Sequence, residues 1–120
     1  MAVTTYSRLA DQQQVAATAA AVITNAASHN TVVQHISLHN SDDTLPYTVT
    51  LYRVPDNAGS VGTAAAANRV LGPLTLQPRE TFNLAVLWVL KDTNDTIQAV
   101  ASTAAKINFS ADGQDVDNSS

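Results

Sequence analysis

Alternation of apolar and polar positions organises most of the chain. In residues 31–40, Val32, Ile36 and Leu38 share one parity, while Val33, His35, Ser37 and His39 share the other. A period of two among β-branched residues predicts a half-buried strand, because successive side chains leave a strand on opposite faces. Gln34 interrupts the apolar face and points to a sheet margin at that end. The pattern returns over 47–54, where Val49 and Leu51 are apolar and Tyr47, Thr48, Thr50 and Tyr52 offer an amphipathic strip. Pro46 and Pro55 bound this strand where they end a ladder rather than interrupt one. Residues 69–76 supply Val70, Leu71, Leu74 and Leu76, and Gly72-Pro73 predicts a kink or bulge among them. Phe82, Leu84 and Val86 then alternate with Thr81, Asn83 and Ala85, and the continuous run Leu87-Trp88-Val89-Leu90 is expected to close one end of the core. Ile97, Ala99 and Ala101 point inward from 96–102, as do Ile107, Phe109 and Ala111 from 106–111.

Polar turns separate these strands. Asn40-Ser41-Asp42-Asp43-Thr44, Gln77-Pro78-Arg79-Glu80 and Lys91-Asp92-Thr93-Asn94-Asp95 have turn composition, the second with proline at its favoured position. Residues 56–67 form a longer connection rich in glycine and alanine. Residues 18–24, with Val22 and Ile23, read as the first strand of the core. Ahead of them, residues 1–17 read as an N-terminal arm: 3–9 can extend as a strand, 10–17 favour a turn or two of helix, and the arm orders on a neighbouring subunit. Asp112-Gly113 turns the chain and leaves 114–120 as a flexible polar tail. The expected organisation is therefore an arm (1–17), a β-sandwich (18–113) and a tail (114–120). About seven short strands with regular turns predict an all-β, small antiparallel sandwich, immunoglobulin-like or jelly-roll-like, with strand order open.

Composition sharpens this picture. At 120 residues, the chain fits one domain. Much of its 45% hydrophobic content is alanine, and two Phe and one Trp leave a lean core. Charged residues are 13% of the chain, against about 25% in ordinary globular domains. The surface is thus rich in Thr, Ser, Asn and Gln, which can be covered by a neighbour without desolvating many ions. With 10 acidic and 6 basic residues, a net charge of −4 and no Lys/Arg cluster, nucleic acid is not an expected partner. There is no cysteine for a disulfide, thiolate or Cys-type zinc site. No apolar run approaches the ~18 residues of a membrane span, and no signal peptide is expected at the N-terminus.

No catalytic or ligand-binding motif stands out in the sequence. His35 and His39 share a face but are separated by about 13 Å of strand, too far to ligate one metal, and His29 lies in a turn. Asp42-Asp43, Asp92 with Asp95, and Asp112-Gly113-Gln114-Asp115-Val116-Asp117 are acidic loops without the ligand spacing of an EF-hand. Glu80 is the only glutamate, no Gly-x-Ser-x-Gly elbow exists, and Gly59-Ser60-Val61-Gly62 lacks the Lys and Ser/Thr of a phosphate-binding loop. Asn108-Phe109-Ser110 is a formal glycosylation triplet inside a strand. No catalytic residue, metal ligand or cofactor is expected.

The segment Thr48-Val49-Thr50-Leu51-Tyr52-Arg53-Val54-Pro55, preceded by Ile36-Ser37-Leu38-His39-Asn40, resembles a strand signature of small proteins encoded by tailed bacteriophages. Leu76-Gln77-Pro78-Arg79-Glu80-Thr81 is similar to their Leu-x-Pro-Gly-Glu-Thr, with Arg79 in place of glycine. Asn94-Asp95-Thr96-Ile97-Gln98-Ala99 is similar to Gly-Asp-x-Ile-x-Ala, with Asn94 in place of glycine. The likeness covers about residues 31–113. It implies a virion structural protein, assembled in the host cytoplasm, that self-associates. Its expected partners are copies of itself and the phage major capsid protein, as a cement or decoration protein, or neck and tail proteins. The alternative is a carbohydrate- or receptor-binding module of the virion, for which Tyr47, Tyr52 and Trp88, besides Tyr6, are the available stacking residues.

Overall fold

The described residues form eight strands: β1 (Val3–Gln14), β2 (Ala20–Thr24), β3 (His29–Asn40), β4 (Tyr47–Val54), β5 (Arg69–Leu76), β6 (Thr81–Leu90), β7 (Thr96–Ala101) and β8 (Ile107–Asp117). The computed structural model describes residues 3–118, apart from the side chains of residues 3, 5–7 and 11. Among the described residues the helical content is one 3-10 turn, Ala66–Asn68, in the long connection before β5. No helix among them is long and apolar enough to cross a membrane.

Two four-stranded sheets result, sheet A in the order β1-β8-β3-β6 and sheet B in the order β2-β7-β4-β5. Every pairing is antiparallel. All connections except β4–β5 pass from one sheet to the other, which is the winding of an eight-stranded jelly roll. Of the two alternatives open in the sequence, the jelly roll is the one formed. The registers bring the β2–β3, β4–β5 and β6–β7 connections to one end of the sandwich, with Val3 and Asp117; we call this the upper end. The other four connections meet at the lower end.

Between the sheets lies one core. Val33, Ile36, Leu38, Leu51, Ile97, Ile107 and Phe109 are fully buried within it. The strands over 47–54, 69–76 and 81–90 occur where alternation predicts them. The kink expected at Gly72-Pro73 appears as a register shift between β4 and β5.

Several expectations change. Residues 3–14 are not a detached arm: β1 pairs along β8 from Val3↔Asp117 to Gln14↔Asn108. Residues 10–14 are strand rather than helix, and the core takes up Ala10 and Val15, so tertiary burial overrides local propensity. Residues 114–117 of the expected tail continue β8 between β1 and β3; residues 119–120 lie outside the described part. The backbone of 114–117 is held from both sides, a constraint invisible in polar side chains. In addition, β3 changes parity midway. Its register shifts at Gln34 against both neighbours. Val33 therefore joins Ile36 and Leu38 in the core while Val32 is half-buried, because one extra residue flips the rest of the strand to the other face. The run 87–90 does not close the core either: Leu87 and Val89 face out from β6, and Leu90 alone is buried.

Candidate functional site

Both ends of the sandwich are built around a buried asparagine. At the upper end, Asn25 is 1% exposed. Its amide donates to the carbonyls of His29 (2.8 Å) and Asp92 (3.0 Å), and its Oδ1 accepts from the Thr31 hydroxyl (2.7 Å). Its backbone N–H donates to the Asp95 carbonyl and its own carbonyl accepts from Asn94. One residue thus ties the β2–β3 turn to the β6–β7 turn. At the lower end, the Asn40 amide donates to the carbonyls of Leu45 and Leu76, and its Oδ1 accepts from the Asp42 N–H. By composition alone Asn40 belongs to a turn. The parity of Asn40, shared with Ile36 and Leu38, is the sign in the sequence that it points inward.

The acidic loops turn out to be clamps. Asp42 Oδ1 accepts from the N–H groups of Thr44 (2.7 Å) and Leu45 (3.0 Å), and the Tyr47 hydroxyl donates to Oδ2. The two backbone donors hold its carboxyl well below the usual carboxylate range, helped by the Thr44 hydroxyl and Lys106 and opposed by burial. Asp43 makes an exposed ion pair with Arg79 (2.8 Å). In the upper turn, Asp95 accepts from the N–H groups of Asp56, Asp92 and Lys91. Carboxylate oxygens of Asp56, Asp92 and Asp95 come within 4.8 Å of one another, a set of hard oxygen donors of the kind calcium takes. Three backbone donors already occupy the Asp95 carboxylate, which makes it the brace of this turn. Asn94 donates to the Gly59 carbonyl and Gln98, 4% exposed, to the Gly62 carbonyl. Together they fasten the long β4–β5 connection onto the sandwich.

The histidines are dispersed. His29 opens β3, and its Nδ1 lies 2.7 Å from Asp115 Oδ1 on β8, with Nε2 3.7 Å from Asp117. The hydrogen bond to Asp115 raises its pKa above 6.5, burial works against the rise, and the charges of Asp115 and Asp117 add to it. His39, near the other end of β3, meets the Thr81 hydroxyl at 2.8 Å. The imidazole–carboxylate pair and the imidazole–hydroxyl pair thus stand about 33 Å apart along one strand. The parts of a nucleophilic relay are split between opposite ends of the molecule, and nothing in this arrangement supports catalysis.

The stacking residues are not brought together. Tyr47 packs against the core from sheet B with its hydroxyl on Asp42, and Trp88 packs against the core from sheet A. Tyr52 is half-buried opposite Gln98 and Arg69, and the Tyr6 side chain lies outside the described part. Asn108 faces outward on β8 while Phe109 is buried.

What the fold does assemble is a surface. The outward residues of β3 and β6 meet as His39↔Thr81, Ser37↔Asn83 and His35↔Ala85, and on β8 Ser37 and His39 adjoin Ser110 and Asn108. Apart from Asp112 beside His35 and Arg8 opposite Asp112 on β1, the outward residues named here are polar without being carboxylates, Lys or Arg. It leads to the β6 edge, where Leu87 is 71% and Val89 37% exposed. Between β5 and β6, at the upper end, opens a groove of about 330 Å³ walled by Val54, Val70, Val89 and Leu90, together with Arg53 and Arg69. The Arg53 guanidinium crosses between the sheets here and donates to the Val89 carbonyl (3.2 Å). The groove has no linear motif, because its walls come from strands distant in the chain.

No protein-family profile and no curated protein sequence matches the chain. Among solved structures, all of the chain is similar to 92% of a chain from Bacillus endospore appendages, described as a novel family of disulfide-linked pili, with a TM-score of 0.52 and 16% identity. Infectious bursal disease virus VP2, in its subviral particle, gives a TM-score of 0.45 and 15% identity over 96% of this chain and 32% of the viral one. At such identities the likeness to the appendage subunit is one of fold.

Proposed function

We propose that this protein is a non-enzymatic structural subunit that works by assembly with copies of itself and with a larger particle. The observation that carries the reading is the outer face of sheet A, polar and sparsely charged apart from Arg8 and Asp112, which a neighbour can cover at limited desolvation cost. The fold shared with the appendage subunit supports it, since that protein builds pili. Those pili are disulfide-linked, whereas this chain has no cysteine, so its own contacts are not disulfides. On the likeness of residues 31–113 to small tailed-phage proteins, the particle is a phage virion. The subunit docks on the capsid as a cement or decoration protein, or in the neck or tail.

Light scattering on the purified protein across a concentration series, with mass spectrometry and immunogold imaging of purified particles, tests this reading. Oligomers in solution and label on particles are expected, with many copies over the shell for a capsid role and few at one vertex for a neck or tail role. A solitary monomer absent from particles would overturn it.

A further inference from the structure

Unpaired positive charge collects at the upper-end groove between β5 and β6. The chain has six Lys and Arg. Arg79 and Lys106 are held by Asp43 and Asp42, and Arg8 stands opposite Asp112 across β1 and β8. Arg53, Arg69 and Lys91 make no ion pair among the described residues. Arg53 and Arg69 both line the groove, and Lys91 follows its wall residue Leu90. One Arg53 nitrogen donates to the Val89 carbonyl, which holds the guanidinium across the groove and leaves most of its five N–H donors to an incoming acceptor. Beside the two guanidiniums, Val54, Val70, Val89 and Leu90 supply apolar walls, and Val70 and Val89 are exposed. The carboxylate in the lining, Asp95, is already engaged by three backbone N–H groups.

We infer that this groove docks an acidic peptide segment of a partner protein, with a Glu or Asp side chain set against the two guanidiniums and an apolar neighbour against the valines. Charge complementarity selects that occupant. A planar guanidinium matches a carboxylate through paired N–H···O bonds, and Arg53 is already oriented, so less conformational freedom is lost on binding. Two guanidiniums against Asp95 leave the lining with a single surplus positive charge, which one carboxylate balances. A polyanion such as nucleic acid would also meet Asp56 and Asp92, whose carboxylates gather with that of Asp95. The apolar walls favour a peptide over a bare anion, because covering Val70 and Val89 removes apolar surface from water. The inference rests on the assembly reading above for the existence of a protein partner, and it adds a second contact surface to the outer face of sheet A.

NMR titration of the full chain with capped Leu-Glu-Leu, capped Leu-Gln-Leu and inorganic phosphate tests this. Leu-Glu-Leu is expected to shift the amides of Val54, Val70 and Leu90 and the Nε–H signals of Arg53 and Arg69. It should bind about tenfold more tightly than Leu-Gln-Leu. Arg69→Gln removes no side-chain hydrogen bond or ion pair among the described residues and is expected to weaken Leu-Glu-Leu binding about threefold to fivefold. Adding Arg53→Gln should bring the loss to about tenfold or more, with circular dichroism and melting temperature as folding controls. Equal binding of the Glu and Gln peptides, shifts that lie away from the groove, or phosphate binding more tightly than Leu-Glu-Leu would each overturn the acidic-peptide site. Immunogold labelling of particles separates the two readings. A wild type that labels particles but gives no groove shift with Leu-Glu-Leu at millimolar concentration overturns the groove and leaves the assembly reading standing. A wild type that binds Leu-Glu-Leu in the groove, yet neither self-associates nor labels particles, overturns the assembly reading and leaves the chemistry of the groove.

Discussion

Arg79 occupies a left-handed backbone conformation, φ 62°, in the turn between β5 and β6. A side chain costs about 1 kcal/mol there, and the exposed ion pair with Asp43 returns at most about that much. Arg79→Gly is therefore expected to raise stability by up to about 1 kcal/mol, read as a higher denaturant midpoint with an unchanged slope. Asn94, φ 73°, meets the same demand with a residue that tolerates it. Electrostatics add two pH-dependent contributions of opposite sense. The Asp42 carboxyl, lowered by the Thr44 and Leu45 N–H groups, stabilises the fold above its unfolded-state value, and that contribution is lost as the pH falls through the depressed folded-state value. His29, raised chiefly by its hydrogen bond to Asp115, stabilises below its unfolded-state value and ceases to do so as the pH rises through the elevated one. NMR titration should place the His29 midpoint above 6.5, and Asp115→Asn should bring it down. A midpoint unmoved by that substitution would show that the pair does not form.

Among the elements, β8 is held on both sides, by β1 and by β3. At the β3 register shift, Gly113 pairs with Val33, and a Cβ on it would fall 1.9 Å from the Val32 carbonyl oxygen. Glycine here permits β8 to run on rather than turn. Gly113→Ala is expected to destabilise by about 1–3 kcal/mol, as overpacking does. Amide protection should be lost first over 113–117 and at their β1 partners. Protection unchanged along β8 would mean that the close approach is absent. Side chains alone end β8 at Ala111, since Gln114, Asp115 and Asp117 carry no apolar signal. Similarly, Gln12, Gln13 and Gln14 suit helix by propensity, yet Ala10 and Val15 on either side are drawn into the core.

At the scale of the molecule, one lean core holds both sheets, with Phe109 the largest fully buried side chain among the described residues. Phe109→Ala should cost about 3–5 kcal/mol, a large share of the ~5–15 kcal/mol of a typical domain, and lower the melting temperature in a single cooperative transition. Two separate transitions would contradict a shared core. The buried Asn25 and Asn40 close the two ends with hydrogen bonds instead of apolar caps, which suits a chain with few large hydrophobic side chains.

Alternation, turn residues and low charge determined, without any structure, that this would be a small antiparallel sandwich with a sparsely charged exterior. Those features are local, because each side chain reports the face its own residue occupies. Pairing is different. Backbone N–H and C=O groups are nearly the same at every residue, so the sequence does not record which strands join. Only the tertiary structure made the chain a jelly roll, drew residues 3–14 and 114–117 into sheet A, moved Val33 inward at the register shift, and left β6 at an edge.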